Sequence, residues 1–96
     1  MKEEVKVNIL QEALKAVYSD IAFINTSPFG ITVDFGQQLP QAKQIQIVTR
    51  VALSPQHAKM LSRVLEANVK KYEKQFGEIK VTDSMEKASK VGFDEA

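Results

Sequence analysis

One long segment with helical periodicity constrains the fold of this 96-residue chain more than any other feature. Ser54 supplies an N-cap oxygen, and Pro55 follows at the first helical position, where a missing N–H costs nothing. Gly77 is the residue type best suited to the backbone conformation that ends a helix. The pattern therefore predicts a helix from about Pro55 to Phe76.

The apolar residues of this helix cover an arc of roughly 200°, about twice the width that packing on one surface requires. Three polar residues, His57, Asn68 and Gln75, lie near the centre of the arc and divide it into two halves. We therefore expect the helix to contact two surfaces, its own sheet and a second subunit. The predicted subunit interface consists of Met60, Leu61, Val64, Asn68 and Tyr72.

Alternating apolar and polar residues upstream of the helix predict strands. The alternation is present in residues 5–9, from residue 17 onward, in residues 31–35 and in residues 45–53. The last strand is expected to place these residues on one face: Ile45, Ile47, Thr49, Val51 and Leu53. A second face with apolar residues, and hence a second candidate interface, is expected from Tyr18, Ala22, Ile24, Val48 and Ala52.

Turn and loop chemistry separates these strands. Residues 25–28 have turn composition, and residues 36–43 are predicted to form a loop. Residues 11–16 fit either a single helical turn or a connection. The prediction is an α+β fold: an antiparallel sheet of three or four strands with one long C-terminal helix. Residues 1–79 are expected to form a single domain, and residues 80–96 a mobile C-terminal tail.

Composition excludes several classes of site. The chain has no cysteine and one histidine, which rules out disulfides, thiolate metal sites and a His-rich metal centre within one chain. No cofactor is expected. No apolar run approaches the ~20 residues of a membrane span, and the N-terminus does not resemble a signal peptide, so we expect a cytoplasmic protein.

The middle of the chain is basic although the net charge is only +1. Residues 43–74 contain seven basic and two acidic residues, a balance of +5. A stripe on one side of the predicted helix is a possible nucleic-acid-binding surface, with Arg50 and Lys43 as further contributors. A solvated helix face, flanked by Glu66 and Glu73, is the other interpretation. The stripe consists of Lys59, Arg63, Lys70 and Lys74.

Candidate catalytic residues are few. His57 fits a general base or ligand, or a hydrogen-bonded residue at the rim of a core or interface, and no Ser, Cys or second His can be placed beside it. Asn68 fits pairing with its symmetry mate, or a hydrogen bond to its own sheet or to water. Asp20 and Asp34 are expected on neighbouring strands. Two aspartates on a solvated sheet face are a better interpretation than a catalytic carboxylate pair. We therefore expect no enzymatic activity.

Several short motifs between Tyr18 and Ile79 resemble one family of uncharacterised bacterial and archaeal proteins, the domain-of-unknown-function family 3467. The motifs are Tyr18 with Ile21, Ser27-Pro28, Val33-Asp34-Phe35-Gly36, Pro40, Arg50-Val51, the run from Leu53 to Lys59, Leu61, Leu65, Asn68, Tyr72-Glu73 and Phe76-Gly77-Glu78-Ile79.

The resemblance implies a compact α+β domain with no established activity, so it assigns no catalytic residue. It places His57, Lys59, Asn68 and Tyr72 in the family pattern. Gly30 stands where the pattern favours a longer side chain, and we expect it to loosen the start of the third strand. The function predicted is a non-catalytic homodimeric module for protein interaction or scaffolding. A nucleic-acid-binding protein that uses the helix stripe is the alternative.

Overall fold

The chain folds into a three-stranded antiparallel sheet followed by one long helix. The computed structural model describes residues 4–83. The strands are β1 (Ile21–Ser27), β2 (Gly30–Leu39) and β3 (Gln44–Leu53), arranged in the order β1-β2-β3. The helix, α1, spans Pro55–Phe76. The structure thus confirms the predicted α+β fold with its antiparallel sheet and C-terminal helix.

The strand predicted near residues 5–9 is not formed. Residues 4–10 have no regular secondary structure, and Gln11–Ala13 form a single 3₁₀ turn. Val5, Val7 and Ile9 are largely exposed, at 84%, 88% and 67%. Alternation creates an apolar face, but a strand also needs a neighbour that accepts its backbone hydrogen bonds. No strand of the described residues pairs with this segment.

Both hairpin connections are shorter than the sequence predicts. β1 continues through Ser27, whose hydroxyl accepts a hydrogen bond from Phe29 N at 3.2 Å, so the turn occupies only two residues. β2 continues to Leu39, through half of the predicted loop, because its last residues pair with the start of β3. A 3₁₀ turn at Pro40–Ala42 and a left-handed Lys43 (φ 50°) then reverse the chain.

A β-bulge in the middle of the β2–β3 pair changes which residues share a face. Phe35 pairs with Thr49, but the next residue, Gly36, pairs with Ile47, so Val48 is an extra residue in β3. An extra residue reverses the alternation of side chains beyond it. The prediction that residues 45–53 alternate without interruption is therefore wrong: Ile47 lies on the opposite face from Thr49.

The register defines two faces of the sheet, because directly paired residues project to the same side. One, the uncharged face, consists of Ala22, Ile24, Thr26, Ile31, Val33, Phe35, Thr49, Val51 and Leu53. The other, the ion-pair face, consists of Ile21, Phe23, Asn25, Thr32, Asp34, Gly36, Gln38, Ile45, Ile47, Arg50 and Ala52. Ala22 and Ile24 thus lie opposite Ala52, and the expectation that these three share a face is wrong.

Gly30 permits a close backbone approach at the start of β2. It pairs with Ser27, and a Cβ at this position would lie only 2.5 Å from the carbonyl oxygen of Leu53. Any larger residue would force the neighbouring strand to move. Gly30 therefore tightens the packing of β2 against β3, contrary to the loosening that we expected from the sequence.

The start of α1 has the predicted cap. The hydroxyl of Ser54 accepts a hydrogen bond from His57 N at 3.1 Å, and the carbonyl of Ser54 accepts one from Ala58 N at 2.9 Å. Ser54 is the single residue between β3 and α1, and its backbone is extended (φ −66°, ψ 155°). The direction of the helix relative to the sheet is therefore set at one residue.

The end of α1 is capped by Gly77, which has a positive φ of 102°. Its N–H donates to the carbonyl of Glu73 at 2.8 Å, and the Glu73 carboxylate accepts a hydrogen bond from Ile79 N at 3.0 Å. The predicted bounds of the helix are thus confirmed. The predicted tail at 80–96 lies mostly outside the described residues, and the domain boundary at 79 stays a prediction.

Contacts between α1 and the sheet are sparse compared with those between the strands. Among the described residues, Ile21 is the only buried hydrophobic residue, at 6% exposure. The sequence led us to expect that the helix packs on its own sheet. In the structure it does not cover a face of that sheet. The three strands are fully paired in their sheet, but the sheet and the helix do not pack together to enclose a core.

We expect the substitution Ser54→Ala to destabilise the protein by about 1 kcal/mol, because it removes the acceptor for a free helical N–H. The measurement is urea denaturation followed by far-UV circular dichroism at constant protein concentration. Ser62→Ala is the matched control: its hydroxyl donates to the carbonyl of Lys59 within the helix, and both groups are exposed. Equal destabilisation by the two substitutions would contradict the role of Ser54.

Candidate interaction surfaces

The apolar arc of α1 has no partner within the described chain. No residue of the helix is buried, and seven large apolar side chains are 40–66% exposed. These residues are Met60, Leu61, Val64, Leu65, Val69, Tyr72 and Phe76. They lie on both halves of the arc, so neither half is covered. A monomeric domain seldom leaves so many large apolar side chains of one helix exposed.

The five residues of the predicted interface all lie on this arc and are all exposed. Asn68 is among them, and its side-chain amide donates a hydrogen bond to the carbonyl of Val64 at 2.8 Å, one turn earlier in the same helix. The amide therefore bonds neither to the sheet nor to another element of the described chain. No described residue donates a hydrogen bond to its side-chain oxygen.

Two aromatic rings form a pair that the sequence analysis did not identify. The rings of Tyr72 and Phe76 are tilted by 46° with their centroids 4.8 Å apart, a favourable geometry for aromatic contact. They remain 52% and 66% exposed. The i, i+4 spacing of two aromatic residues on one helix is the signal that predicts such a pair. The pair extends the apolar arc to the C-terminal end of α1.

The accessible surface of the chain exceeds that of a compact monomer. The whole chain has 9037 Å², whereas a folded protein of 10.7 kDa has roughly 5,500 Å². Counting the 16 residues outside the described range as fully extended chain removes at most roughly 2,600 Å². A compact protein of the remaining 80 residues, about 8.9 kDa, has roughly 4,800 Å². An excess of about 1,600 Å² therefore remains, against the ~800 Å² that each partner buries in a standard interface.

The basic stripe lies outside the apolar arc of α1, next to the edge formed by Met60 and Ala67. All four residues are exposed, and Lys70 forms an ion pair with Glu66 at 3.4 Å. Both side chains of that pair are exposed, so it adds little to stability. Lys59, Arg63 and Lys74 form no ion pair with any described residue. The structure thus brings the predicted stripe together on one exposed face.

The candidate catalytic residues are not assembled into a site. His57 is exposed and contributes its backbone N–H to the helix cap, and no described residue forms a hydrogen bond with its imidazole. Asp20 accepts a hydrogen bond from Gln38 N at 2.9 Å, whereas Asp34 binds Arg50, so the two carboxylates have separate partners. The described residues contain no cluster of three potential metal ligands.

The ion pair of Asp34 and Arg50 is a feature that sequence analysis missed. It joins β2 to β3 through two parallel hydrogen bonds, Nε to Oδ1 at 2.9 Å and an Nη to Oδ2 at 3.1 Å. Asp34 is buried at 7% exposure, whereas the Arg50 side chain remains 73% exposed. The hydrogen bonds that Arg50 donates to Asp34, together with the charge of Asp34, raise the pKa of Arg50 above its ordinary value.

Predicting this ion pair requires more information than the sequence pattern contains. One charged residue stands near the middle of each of two otherwise uncharged strands, which is the signal for cross-strand pairing. Register is also needed, and the bulge beyond Phe35 makes register hard to infer from sequence. The buried carboxylate is neutralised by a guanidinium that covers it from the solvent side. Arg50 therefore stabilises the sheet, although we had grouped it with the basic stripe.

Comparison with known proteins yields a family match. The model of a family described as a protein of unknown function, DUF3467, matches residues 1–81, which is most of the chain. The family resemblance inferred from the motifs is thereby confirmed. No curated protein and no solved structure shows significant similarity to the chain. Among the described residues, no helix has the length and apolar character required to cross a membrane.

The ion pair makes a specific prediction about coupled substitutions. We expect Arg50→Gln to destabilise the protein more than the double substitution Asp34→Asn/Arg50→Gln. The single change leaves a buried carboxylate without a cation, whereas the double change leaves two neutral amides. The measurement is the urea midpoint of each variant at the same protein concentration. Additive effects of Asp34→Asn and Arg50→Gln would contradict the pairing.

Proposed function

The chain belongs to the DUF3467 family, and we propose that it is a non-catalytic homodimeric module for protein interaction or scaffolding. One observation carries the proposal: the apolar arc of α1 is open to solvent on both of its halves. In a chain of 96 residues a second copy supplies the apolar contacts that one small core cannot. The excess of about 1,600 Å² of accessible surface is large enough for a stable dimer.

The proposed interface is centred on the half of the arc that contains Met60 and Val64, with Asn68 at the boundary of that half. Two copies of this helix packed across a twofold axis bring each residue close to its own counterpart or to a near neighbour. Asn68 then meets polar atoms of the partner, because its side-chain oxygen still accepts a hydrogen bond. A single polar residue in an apolar helix pair favours one register over the others.

The expected mass in solution is twice the 10.7 kDa of the chain. Gel filtration with light scattering at tens of micromolar measures it. The substitution Val64→Glu should produce a monomer, because it places a charge at the middle of the apolar interface. Arg63→Glu is the matched control. It introduces a glutamate at the residue before Val64, outside the arc, and should leave the dimer intact.

Two results would contradict the dimer proposal. A wild-type chain that remains a monomer at these concentrations would remove the proposal, and a Val64→Glu variant that remains dimeric would exclude this interface. Far-UV circular dichroism shows whether the monomeric variant is folded. Loss of structure together with loss of the dimer is also consistent with the proposal, since folding and association are then coupled.

A nucleic-acid-binding protein is the second candidate, and the position of the basic stripe favours it. Lys59, Arg63 and Lys74 have no acidic partner among the described residues, and the stripe lies outside the apolar arc. It therefore stays accessible in the proposed dimer. Two stripes, one from each copy, would double the number of cations available to a phosphate backbone.

The substitutions Lys59→Glu and Arg63→Glu together should weaken binding and reduce its dependence on salt, if the stripe contacts phosphates. The measurement is fluorescence anisotropy with labelled double-stranded DNA, single-stranded DNA and RNA at ~50 and ~200 mM salt. Glu66→Gln and Glu73→Gln are the opposite control, because they remove negative charge beside the stripe and should strengthen binding. Unchanged affinity in the charge-reversed variant would exclude this function.

A further inference from the structure

The uncharged face of the sheet is a second open apolar surface. Phe35 and Val51, near its middle, are each 36% exposed, and Ile24, Ile31, Val33 and Leu53 are half-buried. No charged side chain lies on this face, in contrast to the ion-pair face with Asp34 and Arg50. Val17, Ser19, Phe35 and Thr49 line an open recess of about 340 Å³ beside this face.

The chain's own helix is poorly placed to cover this face. β3 ends at Leu53 and α1 begins at Pro55, so a single residue joins them. Connections between a strand and a helix that packs on the same sheet usually contain two to six residues. Ser54 is held in its extended conformation by the cap to His57, and Pro55 fixes the next φ. Folding the helix back would require breaking this cap.

We infer that the two copies of the proposed dimer exchange helices, so that α1 of each copy covers the uncharged face of its partner's sheet. This inference rests on the dimer proposed above and specifies its architecture. A twofold axis makes the two contacts identical, and the exchange leaves neither helix nor sheet uncovered. The occupant of each apolar face is therefore a second copy of this chain.

The dimensions of the two surfaces match. A helix of 22 residues is roughly 33 Å long, and a strand of 10 residues is also roughly 33 Å long. One partner helix can thus extend along the whole sheet. Both surfaces are also apolar: the uncharged face has no charge, and Lys71 is the one charged residue within the arc.

The two halves of the apolar arc then have separate roles. The half with Leu65, Val69 and Phe76 packs on the partner's sheet. The half with Met60 and Val64 packs on the partner's helix near the twofold axis. This division explains why the arc is about twice as wide as one contact requires. It also explains why polar residues such as Asn68 lie along the boundary between the two halves.

Cross-linking between designed cysteines tests the exchange, since the natural chain contains none. The variant Val51→Cys/Leu65→Cys carries one thiol at the middle of the uncharged face and one on the helix half assigned to it. Equal amounts of ordinary and ¹⁵N-labelled protein are mixed at low concentration, and native mass spectrometry verifies that mixed dimers have formed. A short bismaleimide then links the thiols, and the linked peptides are analysed by mass.

In the exchanged dimer, about half of the cross-linked peptide pairs should join a labelled to an unlabelled chain, because each link connects two copies that paired at random. The control Val51→Cys/Arg63→Cys places the second thiol on the outer side of the helix and should give few links. The variant Val33→Cys/Val69→Cys tests the same contact one turn farther along the helix, and replaces the first if that variant fails to fold.

Each other outcome has a distinct meaning. Links confined to single chains in a dimer of the expected mass would show that each helix closes on its own sheet. That result overturns the exchange and leaves the dimer standing. Absence of links in both test variants, with the dimer mass retained, also overturns the exchange. A monomeric mass for the unsubstituted chain would instead overturn the proposed dimer, and the exchange with it.

Discussion

The single-residue connection between β3 and α1 is the constraint on which the rest of this structure depends. Ser54 caps the helix through its hydroxyl while its own backbone stays extended, so strand and helix meet at a fixed angle. A longer loop would let the helix fold back and form a small two-layer domain. With one residue, the helix extends away from most of its own sheet, and both apolar surfaces remain open. The proposed dimer follows from this geometry, because a second copy presents the complementary surfaces.

The bulge opposite Gly36 is the second determinant, since it decides what each face of the sheet contains. If Val48 paired with Gly36 in a regular register, Ile45 and Ile47 would lie on the same face as Thr49 and Val51. In the observed register, Val48 is the extra residue, and the two isoleucines lie on the same face as Ile21, Asp34 and Arg50. The sheet therefore has one face stabilised by an ion pair and one without charge. This asymmetry specifies which face a partner helix can cover at low cost, because burying the ion pair would remove Arg50 from water.

The elements with strong local signals were predictable from the sequence. The helix has a proline and a cap acceptor at its start and a glycine at its end, so its bounds were correct to the residue. The segment at residues 5–9 shows the opposite case: its alternation is clear, but no strand is available to pair with it. The β2–β3 loop was also placed too early, because Gly36 and the glutamines after it continue the ladder. Local patterns report propensity, whereas pairing depends on residues distant in sequence.

The sequence by itself determined the fold class, the helix, the family pattern and the width of the apolar arc, because each of these depends on neighbouring residues or on periodicity within one element. It also placed Lys59, Arg63, Lys70 and Lys74 on one side of the helix. Only the tertiary structure decided which side chains share a sheet face, that Asp34 is buried against Arg50, and that the arc is left uncovered. These features depend on strand register and on the direction of the chain at Ser54. Register changes with one inserted residue, and composition and periodicity do not reveal where that insertion pairs.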